Sequence, residues 1–373
     1  MCGIMGSVNI SFDISVLDLI KHRGPDDSGI DLHRAGECAV MFELVFLGTS
    51  ASAPSMRRGL PAQIVLHNEQ RFMIDCGEGT QRQLLKSGLG FKRLDKILLT
   101  HGHLDHILGL AGLLSTLIRW ETFEALSVYG GRAALDRVQD LIFNIVLREA
   151  QTPVELRFKE VKPGKLFEDK FFELSAFPVT HRGPGNFGYL FREKNHRPFL
   201  SDRAEALGVP FGPERKLLVN GQSITLRDGR VIEPDDVLGP EVAGTSLAVV
   251  GDAARTDNLL EHVRGVDTLV IESTYLDVEA ALAKDHGHLT ATQSARLAGE
   301  ADVKQLILTH ISRRYGEREV QAEARAIFPE TIVARDFDHF RIQHDHAAQR
   351  VLPEAAGVPV GAPAGEEEAH VVA

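Results

Sequence analysis

Short apolar runs of strand length recur from residue 43 to residue 340, most of them separated by polar turns rich in glycine. The run 43–49 predicts a strand that ends in a turn. Runs 62–66 and 71–75 flank His67-Asn68-Glu69 and predict a hairpin. Residues 75–80, Asp-Cys-Gly-Glu-Gly-Thr, then turn into a helix over 81–87. A buried strand is predicted over 96–100, and the apolar pattern resumes with helical spacing over 107–120. A short strand at 127–130, a helix over 132–148, several short strands within 154–177, a strand closing at 172–180 and another at 186–192 follow. Strands at 246–250, 268–271 and 305–309, a helix at 290–299 and a last strand at 336–340 complete the pattern.

Between them the pattern breaks. Residues 202–240 are rich in Gly, Pro and charge, with few apolar pairs able to reach a core, and read as an insertion projecting from the domain. Pro210-Phe211-Gly212-Pro213 breaks the chain there, and 224–232 predicts a small hairpin through Arg227-Asp228-Gly229. From Gln343 the chain turns to Ala, Pro, Gly and Glu, and residues 343–373 read as a disordered tail.

Five of the apolar runs end on a side chain that binds metals or protons: His101, His181, Asp252, Glu272 and His310. In a sheet whose strands finish at one edge, such residues converge on a single cleft. The first ending is the densest. After the strand at 96–100 comes His101-Gly102-His103-Leu104-Asp105-His106, three imidazoles and a carboxylate in a strand-to-helix turn. Neutral imidazole and carboxylate are the ligands that borderline Zn²⁺ prefers. His101 and His103 can point to one side of the extended turn, while Asp105 and His106 at the helix start face a neighbouring position. That suits two metals a few ångströms apart.

This His-x-His-x-Asp-His turn is the signature of the metallo-β-lactamase superfamily. Residues 41–342 as a whole resemble the ribonuclease Z family, the endonucleases that process tRNA 3′ ends. The resemblance implies an α/β fold, an αββα sandwich of two mixed sheets with a dinuclear site at one edge and a projecting arm. It implies two Zn²⁺ per chain, one held by His101, His103 and His181, the other by Asp105, His106 and His310, with Asp252 bridging. It also implies a zinc-dependent endoribonuclease that removes the 3′ trailer from precursor tRNA, working as a cytoplasmic homodimer. The alternative is a hydrolase of the same fold acting on small phosphodiesters or esters.

Roles beyond the metals follow the same resemblance. Asp105 serves as ligand and as proton acceptor for the nucleophile. His288, in Gly287-His288-Leu289-Thr290, is the candidate acid for the leaving ribose oxygen, with Glu272 holding its other ring nitrogen. Asp75 and the 77–80 turn are expected to buttress the ligands by hydrogen bonds. Ser312 and Arg314, in the tail of the last ligand strand, and Arg58 are expected to hold substrate phosphate. The loop carrying Arg58 has Met56 and Gly59 where the family often has Lys and Asn. The insertion, with Gly212-Pro213 beside the basic Arg215-Lys216, resembles the family's tRNA-gripping arm and could read RNA backbone shape without reading sequence.

Composition changes this picture little. The net charge of −11 argues mildly against a nucleic-acid partner, but local patches decide that question, and bound cations would offset the site carboxylates. No apolar run reaches the ~20 residues of a membrane span. Cys2, Cys38 and Cys76 make no disulfide framework. Residues 1–40 are a separate matter: Met1-Cys2-Gly3-Ile4-Met5-Gly6 and Lys21-His22-Arg23-Gly24-Pro25-Asp26-Asp27-Ser28-Gly29 resemble the start of class II glutamine amidotransferase domains, in which the cysteine is the nucleophile. The glutamine-binding loops that should follow are missing, so an N-terminal extension without glutaminase activity is expected, with Met41 a plausible original initiator.

Overall fold

The computed structural model describes residues 41–119, 124–148 and 150–351. Residues 1–40, where the amidotransferase resemblance falls, lie outside the described residues.

The strands in chain order are β1 (Phe42–Gly48), β2 (Ala62–His67), β3 (Gln70–Ile74), β4 (Lys96–Leu98), β5 (Ala125–Gly130) and β6 (Glu155–Glu160). Then come β7 (Gly164–Glu168), β8 (Phe172–Pro178), β9 (Phe187–Glu193), β10 (Ile224–Thr225), β11 (Val231–Ile232) and β12 (Ser246–Val249). The last are β13 (Thr268–Glu272), β14 (Gln305–Thr309), β15 (Thr331–Val333), β16 (His339–Ile342) and β17 (Gln349–Arg350). Eight strands form one sheet in the order β17-β16-β1-β2-β3-β4-β5-β6, and seven form a second in the order β15-β14-β13-β12-β9-β8-β7. Both sheets mix parallel and antiparallel pairs.

The period-two alternation of each strand builds the layers. In β1, Phe42, Leu44 and Phe46 face the second sheet, joining Phe72, Phe172, Tyr189, Phe191, Leu247 and Phe340 in the inter-sheet core. Val45 and Leu47 face the other way, onto a core shared with Leu110, Leu113 and Leu117 of the helix Gly109–Arg119. In β13, Val270 points inward while Leu269 and Ile271 pack on Leu297, from the helix Ala291–Glu300, and Val320, from Glu317–Arg325. Helix, sheet, sheet and helix thus stack as the expected αββα sandwich. Strands covered on both faces read as continuous apolar runs, which is why they were legible.

Three local expectations change. The helix foreseen over 132–148 divides: Arg132–Gln139 is α-helical, and the chain widens into a π-helical stretch, Asp140–Leu147, with Phe143 and Ile145 exposed. The tail foreseen as disordered from Gln343 keeps structure through residue 351. β17 pairs with β16, and the Asp345 amide and the His344 ring both reach the buried Asp267 carboxylate. The insertion has a small core of its own, Ala204, Val209, Leu218, Ile224, Ile232 and Val237 with Phe199, Leu207 and Leu226 against it. Its helices are Ser201–Ala206, Pro213–Val219 and Pro234–Val237, beside the β10–β11 hairpin.

Candidate metal centre

β4 delivers Leu99 and Thr100 into the core, and the chain then leaves the sheet through His101 and His103. His103 stands at the N-cap of a one-turn helix, Leu104–Ile107, which carries Asp105 and His106. Close backbone contact seats this turn. A Cβ on Gly77 would lie 2.4 Å from the Asp105 carbonyl oxygen, and one on Gly109 would lie 1.9 Å from the Gly77 carbonyl, so only glycine fits at either place. From the second sheet, the turn after β12 brings Asp252, the turn after β8 brings His181, and His310 directly follows β14. Asp75 and His310 hold left-handed backbone, φ 58° and 56°, a strain that non-glycine residues keep only where the surroundings fix them.

The side chains meet in two main groups, His101, His103, His181 and Asp252 in one and Asp105, His106 and His310 in the other, and His288 joins Asp252 and His310 in a third, overlapping set; in each the ligand-type atoms lie within 4.8 Å of one another. Asp252 divides its oxygens between the two main groups. Oδ2 lies 3.5 Å from His101 Nε2 and 3.7 Å from His181 Nε2, whereas Oδ1 lies 3.5 Å from His106 Nε2 and 3.3 Å from His310 Nε2. Asp105 Oδ2 is 3.5 Å from His310 Nε2.

The Nε2 atoms of His101, His106 and His310, and Oδ1 of Asp252, are buried and have no hydrogen-bond partner. Buried polar atoms are rarely left so, because each costs its desolvation. Here the lone pairs converge, and cations held in the two groups would satisfy all four. Burial lowers the proton affinity of His101, His103 and His181, which suits neutral ligands. Burial works against ionising Asp252, but His310, His106 and His101 outweigh it and hold the carboxylate well below its usual range.

Most of the rings are tied from behind. His106 Nδ1 lies 2.8 Å from Asp75 Oδ2, and Asp75 also accepts from the Thr100 amide at 2.8 Å and the Thr100 hydroxyl at 2.7 Å. His181 Nδ1 donates to the Gly287 carbonyl at 2.7 Å, and His101 Nδ1 lies 3.0 Å from the Thr100 hydroxyl. Such contacts fix tautomer and orientation and aim Nε2 inward, bare on His101 and His106. His103 differs, with Nδ1 3.3 Å from His181 Nε2.

Sequence reasoning missed Thr274. Its hydroxyl is 2.5 Å from Glu272 Oε2 and 2.8 Å from His310 Nδ1, joining the ring beside the metal position to the buried carboxylate. The only signal in the sequence was a threonine two places beyond a strand-ending glutamate, hence on the same side of the chain. Glu272 Oε1 lies 3.0 Å from His288 Nδ1 and accepts from the Ala253 amide at 2.7 Å. Burial alone would lower the His288 pKa, but the Glu272 carboxylate outweighs it and raises the imidazole to about 9. His286 turns aside, to the Tyr275 hydroxyl at 2.6 Å.

The expected phosphate ligands are placed differently. Arg58 is not free for substrate. Its guanidinium donates to the Thr49 hydroxyl at 2.7 Å, the Ala334 carbonyl at 2.5 Å and Glu317 at 3.1 Å, so it pins the 50–59 loop from beneath. That loop reaches the site through its backbone instead, the Ser52 amide donating to Asp105 Oδ2 at 3.0 Å. Arg314 is exposed and paired with Glu279 at 2.9 Å, and Ser312 accepts from the Arg314 amide at 3.3 Å. In the insertion, Gly212 takes φ 133° and Pro213 opens the following helix. Arg215 stacks 3.6 Å over the ring of Phe211, itself 74 % exposed, and donates to the Pro210 and Val209 carbonyls, each at 3.3 Å. Lys216 is exposed.

Comparison with known proteins bears on the same residues. The metallo-beta-lactamase superfamily pattern matches residues 59–197, and the beta-lactamase superfamily domain pattern matches 217–311. The ribonuclease Z of Bradyrhizobium sp. (strain ORS 278) is 48 % identical over 302 residues, 81 % of this chain and 100 % of that protein. The chain belongs to the ribonuclease Z family. The ribonuclease Z of Archaeoglobus fulgidus is 37 % identical, covering 83 % of this chain and 100 % of that one. The crystal structure of the short form of human tRNase Z is 26 % identical, covering 80 % of this chain and 98 % of that chain with a TM-score of 0.56. Ribonuclease Z membership gives the clustered histidines and carboxylates a context: this is a metal-dependent hydrolase fold. Among the described residues, no helix is long and apolar enough to cross a membrane.

Proposed function

We propose that this ribonuclease Z family member is a zinc-dependent endoribonuclease that removes the 3′ trailer from precursor tRNA and leaves a 3′-hydroxyl. The observation that carries the proposal is Asp252, buried among the imidazoles, of which His101, His106 and His310 turn towards it an Nε2 with no other partner. His101, His103 and His181 would hold one Zn²⁺, Asp105, His106 and His310 a second, and Asp252 would bridge them. When bound, the metals supply positive charge for the phosphoryl oxygens and make water nucleophilic at neutral pH.

The chain's own residues supply the rest. Asp105 accepts the proton of the attacking water. His288, its Nδ1 directed at Glu272, presents Nε2 to the leaving ribose 3′-oxygen and donates the proton there. One P–O bond forms, one breaks, and the products are a tRNA 3′-hydroxyl and a trailer with a 5′-phosphate. Arg314 and Ser312 stand beside His310 in sequence and are suited to phosphate once Arg314 leaves Glu279. The insertion at 202–240 is the RNA grip, offering the stacked Phe211–Arg215 pair and the exposed Lys216. A homodimer in the cytoplasm completes the proposal.

The test is to incubate purified protein with precursor tRNA and with bis(p-nitrophenyl) phosphate, map the cut, and measure metal by elemental analysis. Cleavage at the tRNA 3′ end with about two zinc ions per chain is expected. Active protein free of transition metal would overturn the metal reading. Turnover of the small diester without tRNA cleavage would favour a small-phosphodiester hydrolase.

A further inference from the structure

The arm joins the sandwich through two crossing segments, residues 194–200 outward and 237–245 returning. Its core shares no residue with the three cores of the sandwich, so its packing does not fix its angle to the active site. That task falls to the stalk. The His196 amide donates to the Val242 carbonyl at 3.1 Å, the Val242 amide returns to His196 at 2.9 Å, and the Gly239 amide donates to Pro198 at 2.9 Å. Two side chains span this ribbon: Asn195 Oδ1 accepts from the Gly244 amide at 3.4 Å near the base, and Arg197 makes several contacts further out. Arg197 donates from Nε to the Gly239 carbonyl at 2.7 Å, from Nη2 to the Leu238 carbonyl at 3.1 Å, and from Nη1 to Asp235 Oδ1 at 2.5 Å.

We propose that Arg197 is a positioning residue for RNA cleavage, a pin that holds the arm at the angle in which substrate spans arm and metal centre. The inference rests on the reading of the arm as the RNA grip. Arg197 is a cation at the foot of that arm, with a side chain 39 % exposed, so a direct phosphate contact would be the simpler assignment. The geometry points elsewhere, because all three of its nitrogens already have acceptors on the return segment and the helix Pro234–Val237. The planar fork matters here, since a lysine ammonium cannot reach three acceptors arranged in this way. Two carbonyls of the stalk would lose their partner in its absence, while the arm's own core would stay intact.

An arm that holds the productive angle only a tenth of the time binds about tenfold more weakly, with no contact to RNA removed. Arg197→Ala is therefore expected to raise KM for precursor tRNA roughly tenfold while kcat changes little. Turnover of bis(p-nitrophenyl) phosphate should be unchanged, which also shows that the protein is folded. Arg197→Lys should resemble the alanine variant. Two further variants separate the explanations. Lys216→Ala removes a proposed phosphate contact and should flatten the salt dependence of tRNA binding by about one unit of slope, whereas Arg197→Ala should leave the slope as it is. Hydrogen exchange at the His196, Gly239 and Val242 amides should quicken in Arg197→Ala while the amides of the arm's own helices stay protected. A slope lowered by one unit in Arg197→Ala would make it a phosphate ligand and end the proposal. An unchanged KM in that variant, where deletion of the arm raises KM, would end it also. If deletion of the arm leaves KM unchanged, the RNA-grip reading itself fails.

Discussion

His288 and Glu272 meet at 3.0 Å, imidazole Nδ1 to carboxylate Oε1, with the imidazole 12 % exposed and the carboxylate fully buried. The pairing commits one ring nitrogen and leaves Nε2 for substrate. His288→Ala should slow tRNA cleavage by roughly 10² to 10⁴, as for loss of a general acid, with metal content unchanged. The defect should shrink on a nitrophenyl diester, whose leaving group needs no proton. Equal losses on the two substrates, or loss of zinc, would place His288 among the ligands instead.

The same pair makes a pH prediction. Glu272 raises the His288 pKa, to about 9, so the acid form persists well above neutral pH and is lost as pH rises through that value. Glu272→Gln removes the charge that does the raising. The alkaline limb of kcat/KM should therefore move to lower pH. A limb that stays in place would show that it reports another group.

Asp75 should govern metal affinity without touching metal. It holds His106 and both polar groups of Thr100, and Asp75→Asn would replace one acceptor oxygen with a donor where three donors converge. Competition with a chelator should show zinc held about 10- to 100-fold more weakly. Unchanged affinity would mean that the strand and helix alone orient His106.

Arg58 should behave as a structural residue. Its side chain is 15 % exposed and tied to Thr49, Ala334 and Glu317. Arg58→Ala should cost on the order of 1–3 kcal/mol, from partners left unsatisfied, and lower Tm by several degrees. Turnover of a small diester below that temperature should be near normal. A selective rise in KM for tRNA at unchanged Tm would restore Arg58 as a substrate contact.

Replacing residues 205–235 by a short Gly-Ser link should separate binding from chemistry. The segment contributes nothing to the metal groups, and the core it packs in, which also takes in Phe199, Ala204 and Val237, belongs to the arm alone. Activity on bis(p-nitrophenyl) phosphate should persist while tRNA cleavage falls. Residues 1–40 should be dispensable: a chain beginning at Met41 should cut tRNA as well as the full chain does, and glutamine hydrolysis that disappears in Cys2→Ala would contradict that expectation.

The sequence by itself determined the strands and the side chains at their ends. Strands covered on both faces must be apolar throughout, so β4, β12, β13 and β14 stand out as runs, and His101, Asp252, Glu272 and His310 mark where each run stops. Those endings are local facts, and so is the order His-x-His-x-Asp-His. What only the tertiary structure decided is where long-range partners lie. Thr274 links His310 to Glu272 because β13 and β14 run parallel and in register, a relationship between residues 36 positions apart that no local pattern encodes. Arg58 looks like a ligand for phosphate until Ala334 and Glu317, more than 250 positions away, take its donors. The insertion looked too polar to hold a core because its few apolar residues are scattered in sequence, and only folding brings Ala204, Leu218 and Val237 together. Backbone periodicity is written residue by residue, whereas the partner of a guanidinium or a hydroxyl is chosen by chain closure over the whole fold.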